Sequence, residues 1–499
     1  MSKGASFFGR ACLALALMAG FYVLTILLAL FLLILPMALT DELDSPRRVM
    51  LLYFACWPSG GLILWSLRPR FNKFSPPGPL LTETQSPRLF AMIQRVANAT
   101  KQPMPKEVYL SHDFNASVMK RGDVVGIGGK RVLIIGLPLM DVLNEPELES
   151  VLVHEFGHYS GGDTALGSVV YTTHIAIERT INDLDGRLLQ IAYALVGNLC
   201  LRLTQAVSRQ QEFAADRMAA EICGAQMYAS ALMKIVRYNL IFGIYMECEF
   251  LPFVRRNLIP QFLNGFNIVQ SSPWAQETLS QPIKDFLSEL PETNSYGSHP
   301  ALRQRLEAIC ADISAIQSDD SAPRALALLD DIDALENRLM NIGLEPSKAN
   351  VERIPIKWED VFAKCVEPEW RAGLLPFASE FEALTIRDIG ALVADKERLK
   401  TLFKEKLPTI DETAWESAVA RLLGSAVLCA VVTRGGVGSA LPGHPVKATF
   451  NDKTIVPIKL LAELLEGSAA VAQWDALCNE CGIGDIPLKD AVTENGMSP

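Results

Sequence analysis

A chain of 499 residues has room for two or three domains and a sizeable core. Its formal net charge of -10 argues against a general nucleic-acid binder, whose footprint would be a basic patch. Hydrophobic residues at 49% against 20% charged imply that part of the chain meets lipid, while 10 cysteines scattered through apolar runs point to a reducing compartment, not a disulfide framework.

Residues 11–39 are an uncharged apolar run, longer than the ~20 residues that cross a bilayer and too long for a signal-peptide core. A second crossing is expected over residues 49–67, weakened by Pro58-Ser59-Gly60-Gly61 and closed by Arg68, Arg70 and Lys73. Lys3 and Arg10 precede the first span, whereas the connecting turn sets Asp41, Glu42 and Asp44 against Arg47 and Arg48. That bias of basic residues favours both ends of the hairpin in the cytoplasm.

Ser75-Pro76-Pro77-Gly78-Pro79 is a linker by composition. Beyond it Leu89, Phe90, Ile93, Val96 and Ala97 recur at helical spacing, predicting an amphipathic helix over 88–100. Residues 107–111 and 131–136 read as strands separated by a glycine-rich turn around Gly126 to Gly129. The apolar stretch 188–203 is interrupted by Gln190, Asn198 and Arg202 and reads as a buried helix more readily than as a third crossing.

The chemistry is concentrated in Leu148 to His158. Asn144 can cap a helix there with Glu147 three residues on, Pro146 suits the first turn, and Gly161-Gly162 supply a stop. On such a helix His154 and His158 project from one face with Glu155 beside them. Leu148, Val151, Leu152 and Phe156 bury most of the rest, so two imidazoles need partners, and a metal would satisfy them. The plain alternative is two core histidines meeting by chance.

A zinc peptidase takes a third protein ligand and keeps one position open. The third histidine of the longer His-Glu-x-x-His pattern is missing, because Thr164 stands in its place. Glu212 on the stretch 208–216 can supply the ligand, and Asp216, four residues on, can accept the second ring N–H of a ligand histidine; Ala214 and Ala215 permit close approach. A strand placed just before the zinc helix, here Val132-Leu133-Ile134-Ile135, can hold an extended substrate at a sheet edge by main-chain pairing, its alternative role being plain core.

Three motifs in order, Asn144 to Asp163, Ser208 to Asp216 and Ser298-His299-Pro300-Ala301-Leu302-Arg303-Gln304-Arg305-Leu306, resemble the membrane zinc metallopeptidases of the HtpX and CAAX-prenyl-protease type over roughly residues 85 to 312. The resemblance implies one zinc ion held by His154, His158 and Glu212, with Glu155 as catalytic base, Asp216 behind the ligands, and His299 and Arg305 near the active site, where either could stabilise the oxyanion and His299 could gate the open zinc position. Phe114-Asn115-Ala116-Ser117 is similar to the family's Asn-Ala-Phe loop without its aromatic residue, which makes Asn115 and Ala116 candidate substrate-binding residues. HtpX-like members also have more membrane spans than the two clear ones here.

Past residue 316 the motifs stop. Acidic amphipathic helices are expected over 325–340, 386–403 and 414–431, a hairpin over 446–460 around Asn451-Asp452-Lys453, and a helix through Leu465. Gly435-Gly436-Val437-Gly438 reads as a turn, and Cys478 and Cys481 as helix-spaced thiols in the absence of a second pair.

The expected fold is therefore mainly α with a small β-sheet (α+β): a membrane hairpin over 1–75, a zincin-like peptidase domain over 76–315 and a mostly helical accessory domain over 316–499. The expected function is zinc-dependent cleavage of membrane-associated or misfolded proteins. The bilayer is a partner and nucleic acid is not; the location implied is the bacterial inner membrane, peptidase domain in the cytoplasm. A zinc-stabilised membrane scaffold without proteolytic activity is the competing reading, and cleavage of prenylated peptides a narrower one. Sequence gives no oligomeric state.

Overall fold

The computed structural model describes residues 2–42, 45–67, 74–121, 129–158, 209–290, 300–309, 311–313, 316, 321–343, 353–403, 406, 414–467 and 469–493. The stretch 188–203, the stop at Gly161-Gly162 and His299 lie outside these residues. The architecture is mainly helical with small sheets. The chain separates into two compact units, one of Met1–Asn239 with Gln281–Pro346, the other of Leu240–Ser280 with Ser347–Pro499. The second unit thus includes a segment from inside the 76–315 span.

In the first unit, helices α1 (Ser2–Leu39) and α2 (Pro46–Leu67) form a hairpin through the 3-10 turn Thr40–Glu42. Val23–Glu42 and Pro46–Trp65 are long and apolar enough to cross a membrane, with mean hydropathies of 2.7 and 1.2. Two contacts fasten the pair: Trp57 Nε1 donates to the Leu33 carbonyl at 3.1 Å, and a Cβ on Gly60 would stand 2.9 Å from the Ala29 carbonyl oxygen. Outward-facing Val23, Leu27, Phe31, Ile34, Met50 and Phe54 stay exposed, as a lipid-facing surface requires. The chain is a membrane protein on these grounds.

A four-stranded sheet follows, built from β1 (Leu80–Leu81), β2 (Glu107–Ser111), β3 (Ala116–Arg121) and β4 (Lys130–Gly136) in the order β1-β2-β4-β3. β4 runs parallel to β2 and antiparallel to β3. β3 was not foreseen from sequence, and its presence moves β4 from the edge to the interior. Helix α3 (Pro87–Thr100) packs with its expected apolar stripe inward: Leu89, Ile93 and Val96 are fully buried, with Val132, Leu133 and Ile135 of β4. α4 (Leu137–Val142) follows β4 directly and leads into α5 (Glu145–Gly157). Arg95 of α3 grips the Glu149 carboxylate of α5 through Nε at 3.3 Å and Nη2 at 2.8 Å. Residues 209–223 are helical (α6), and Ala225–Ile244 (α7) and Leu302–Ala308 (α8) bring up the remaining site residues.

The second unit has two packed regions. One is an aromatic cluster of Tyr245, Phe250, Phe262, Phe266 and Trp358, in which Tyr245 Oη donates to the Phe262 carbonyl at 2.8 Å and Trp358 Nε1 to that of Gln261 at 2.8 Å. The other surrounds α9 (Trp415–Thr433), the third helix apolar enough to cross a membrane. Its run Leu423 to Val431 is buried without interruption against Trp474, Leu461 and Ile389, so it is a core helix and not the amphipathic one expected. Arg371 satisfies its carboxyl-terminal end by donating to the Cys429 carbonyl at 3.1 Å and Thr433 Oγ1 at 2.9 Å. The hairpin is present as Lys447–Phe450 and Lys453–Ile455, turning through Asn451 and Asp452 at φ 50° and 57°, the left-handed pair a two-residue turn needs.

Candidate active site

The site rests on the start of α5. Asn144 Oδ1 accepts from the Glu147 N–H at 2.8 Å, and Glu147 Oε2 accepts from the Asn144 N–H at 3.0 Å, a reciprocal cap that fixes where the helix begins. Fully buried Glu147 also accepts from Ser230 Oγ at 2.7 Å and Lys234 Nζ at 2.9 Å, tying α5 to α7. Three turns on, α6 crosses closely: a Cβ on Gly157 would stand 3.2 Å from Ala215 Cα and 3.3 Å from its Cβ. That approach is possible because both residues are small, and it carries Glu212 to the histidines.

His154 Nε2 lies 3.2 Å from His158 Nε2, while Glu212 Oε2 is 3.7 Å from the first and Oε1 3.6 Å from the second. A tetrahedral ion with bonds of 2.0–2.1 Å has ligand–ligand edges of about 3.3 Å. The two imidazoles and the carboxylate therefore fit a metal ion, and among the described residues no fourth histidine, cysteine or carboxylate joins the group.

Behind His154 the network is closed. Tyr228 Oη lies 2.8 Å and Asp216 Oδ1 3.1 Å from His154 Nδ1, so the ring N–H on that side has acceptors and Nε2 is left to face the metal position. The Tyr228 hydroxyl donates to Asp216 Oδ1 at 2.7 Å, and Arg305 donates to both Asp216 oxygens at 2.7 and 3.0 Å and to Tyr228 Oη at 2.9 Å. Asp216 and Tyr228 are almost wholly buried.

This arrangement agrees with the comparisons. Residues 83–312 match the profile of Peptidase family M48. The chain is similar to proteins named Protease HtpX homolog: 28% identical over 235 residues to one from Ralstonia pickettii, covering 43% of this chain and 78% of the relative. It is 29% identical over 218 residues to one from Burkholderia thailandensis, 40% and 74% of the two lengths, and 32% over 170 residues to one from Methylibium petroleiphilum, 31% and 58%. No solved structure gives a significant match. Residues 83–312 are an HtpX-type M48 metallopeptidase domain.

The electrostatics of the M48 domain suit its metal site. Burial pulls the His154 pKa down, against the upward pull of its Asp216 hydrogen bond, and the net lowering keeps the imidazole neutral as a ligand must be. Burial pushes Asp216 up, but hydrogen bonds from His154 and Arg305 outweigh it and hold the carboxylate well below its usual range. Burial works against the Arg305 charge too, yet Tyr228 and Asp216 keep its pKa raised. Glu155, half-buried beside the metal position, is pushed up to about 8 by burial and then by the Glu212 charge, while Arg305 and a hydrogen bond from the Val118 backbone pull the other way.

Two expectations need correction. Val132, Leu133 and Ile134 cannot pair with a substrate main chain, because β2 and β3 already occupy both sides of β4. Arg305 is engaged on the Nδ1 side of His154 by Asp216 and Tyr228, so it acts here as a positioning residue and not at the reacting atoms. Ala116 opens β3 and is buried, whereas Asn115 just before it is exposed and accepts from the Gly136 N–H at 2.8 Å. Sequence reasoning missed Tyr228, Ser230 and Lys234; they come from the helix between the second and third motifs, and no local pattern in it marks them.

Proposed function

We propose that the chain is a membrane-anchored zinc-dependent endopeptidase acting on membrane-associated or misfolded proteins from the cytoplasmic side of a bacterial inner membrane. The observation that carries this reading is the His154–His158–Glu212 triangle with Glu155 beside it and no fourth protein ligand among the described residues. A structural zinc site normally closes with four ligands, so a scaffold is the weaker reading. The peptidase domain is assigned to residues 76–315 and an accessory role to 316–499.

Zinc, when bound, polarises the scissile carbonyl and brings the pKa of its water toward ~7. Glu155 takes the proton from the attacking water and delivers it to the leaving amine, a role suited to a carboxyl whose pKa burial and the Glu212 charge raise and a bound dication would draw down. Asp216 and Tyr228 hold His154 in one ring orientation, and Arg305 holds those two in turn. His299 stays a candidate to stabilise the developing oxyanion.

Substrate pairing is assigned to the outer edge of β3, which meets no other strand among the described residues. Asn115 faces β4 through its bond to Gly136, so the alternation of an antiparallel ladder turns the main-chain groups of Ala116 and Val118 outward, next to Glu155.

Zinc content and casein cleavage of the detergent-purified full chain test this, native against Glu155→Gln. The expected result is one zinc in both proteins and cleavage only by the native one. A native protein without zinc, or a Glu155→Gln variant cleaving as fast as native, would overturn the reading.

A further inference from the structure

The rung that closes the β3–β4 ladder has an unusual composition: Arg121 stands directly opposite Lys130. Like charges facing each other across a ladder destabilise it, so a sheet end built this way asks for an anionic partner. Lys106 adjoins it, its N–H donating to the Arg131 carbonyl at 2.8 Å, and its side chain is exposed. Among the described residues of these strands the one carboxylate is Glu107, and it is already taken: Arg121 Nη1 at 2.9 Å, Lys130 Nζ at 3.6 Å and the Tyr109 hydroxyl at 3.1 Å. Asp123 lies outside the described residues. Lys130 remains 68% and Arg121 40% exposed, so the surplus of positive charge faces solvent, in a chain whose net charge is -10.

The same end of the sheet is tied to the membrane hairpin. The Phe74 ring packs 4.6 Å from the Arg121 guanidinium carbon and 5.5 Å from the Tyr109 ring. Phe74 follows Leu67, the last residue of α2, by seven residues, which at full extension span at most about 25 Å. The basic end of the sheet is therefore held close to the point where the second span leaves the bilayer.

From this juxtaposition we propose that the Lys106–Arg121–Lys130 end of the sheet docks on the anionic phospholipid headgroups around α2. An acidic protein is the other partner such charges would accept; the short tether favours lipid, because it keeps this patch next to a surface present at high local density. The docking has a consequence for substrate choice that rests on the peptidase reading. Val118, whose backbone reaches Glu155, is three residues from Arg121, about 10 Å along the strand. Docked headgroups thus bring the catalytic end of β3 to the membrane surface, and the substrates it fits are segments of membrane proteins just outside the bilayer.

Amide hydrogen exchange over residues 116–136 of the full chain in lipid nanodiscs reads the docking without reference to activity. Exchange is expected to be several-fold slower in phosphatidylglycerol-rich discs than in pure phosphatidylcholine, with the difference lost at high salt. In the Lys106→Gln/Lys130→Gln double variant docking weakens by about thirtyfold, each cation near an anionic surface being worth roughly a factor of five. Casein cleavage in detergent by that variant stays at the native level, while cleavage of a membrane-anchored substrate falls. Equal exchange in the two lipids overturns the proposal, and so does protection that appears only on adding a protein extract, which assigns the patch to an acidic protein. Normal lipid-dependent protection with no cleavage of any substrate leaves the docking standing and removes the peptidase reading instead.

Discussion

Tyr228 and Asp216 share a 2.7 Å hydrogen bond directly beneath His154, and both reach the same ring nitrogen. The pair fixes the imidazole from the side away from the metal position. Tyr228→Phe removes the hydroxyl and leaves Asp216 with His154 and Arg305 alone. Metal affinity, measured by competition with a chromophoric chelator, is expected to fall roughly tenfold, with stability lowered by only about 1 kcal/mol. Unchanged affinity would mean that Asp216 and Arg305 suffice to orient the ring.

Glu147 links the cap of α5 to α7, and its carboxylate is completely buried. Glu147→Ala takes away one half of the cap and the partner of both Ser230 and Lys234. Losing the cap costs about 1 kcal/mol, and taking the Glu147 carboxylate away from a mostly buried lysine adds to it, for a total of about 3 kcal/mol. Urea unfolding of the purified chain in detergent measures this, and a loss below 1 kcal/mol would show that solvent reaches Lys234 without penalty.

The second unit offers a test by pH. Burial raises the pKa of Glu249, and the Gly443 N–H, which donates to its Oε1 at 3.2 Å, opposes that only in part. A carboxyl with a raised folded pKa keeps its proton in the folded state after the unfolded chain has lost it. Its effect is therefore absent at acid pH, and stability declines as pH rises from about 4.5 through the folded value. Glu249→Gln retains an acceptor for Gly443 and cannot ionise. The variant is expected to match native stability at low pH and exceed it at neutral pH, as read from melting temperatures across that range; parallel curves would mean the carboxylate is solvated.

What the sequence disclosed, and what it withheld, follows the range of the forces involved. The α5 helix was legible because its signals are local: a cap at Asn144, its reciprocal at Glu147, and apolar residues at helical spacing. The hairpin of α1 and α2 was legible because lipid demands long uncharged runs. β3 was not, since Ala116 to Arg121 lacks clean alternation and ends in two cations. Without it β4 looked like an edge, because strand order is set by which strands meet in space and leaves no mark on any one of them. α9 misled for a related reason: a helix surrounded on every side needs no polar face, yet its few polar residues gave it an apparent one. Tyr228 was out of reach because it meets His154 across 74 residues of chain.

Gly157 is the remaining position where geometry decides. It sits three residues past His154 on α5, where Ala215 of α6 presses against its backbone. Its helical conformation is open to any residue, so only space selects glycine here. Gly157→Val sets branched carbons where the nearest Ala215 atoms lie at 3.2 and 3.3 Å, and neither is the end of a flexible side chain. The two helices must separate, and Glu212 moves away from two imidazoles whose present spacing suits a tetrahedral ion. Overpacking of this kind costs about 1–3 kcal/mol, so the variant should still fold. Its metal affinity should fall by more than tenfold, and Ala215→Gly placed opposite should restore part of it by reopening the gap. Native affinity in the single variant, measured on folded protein, would mean that α6 yields sideways without carrying Glu212 with it.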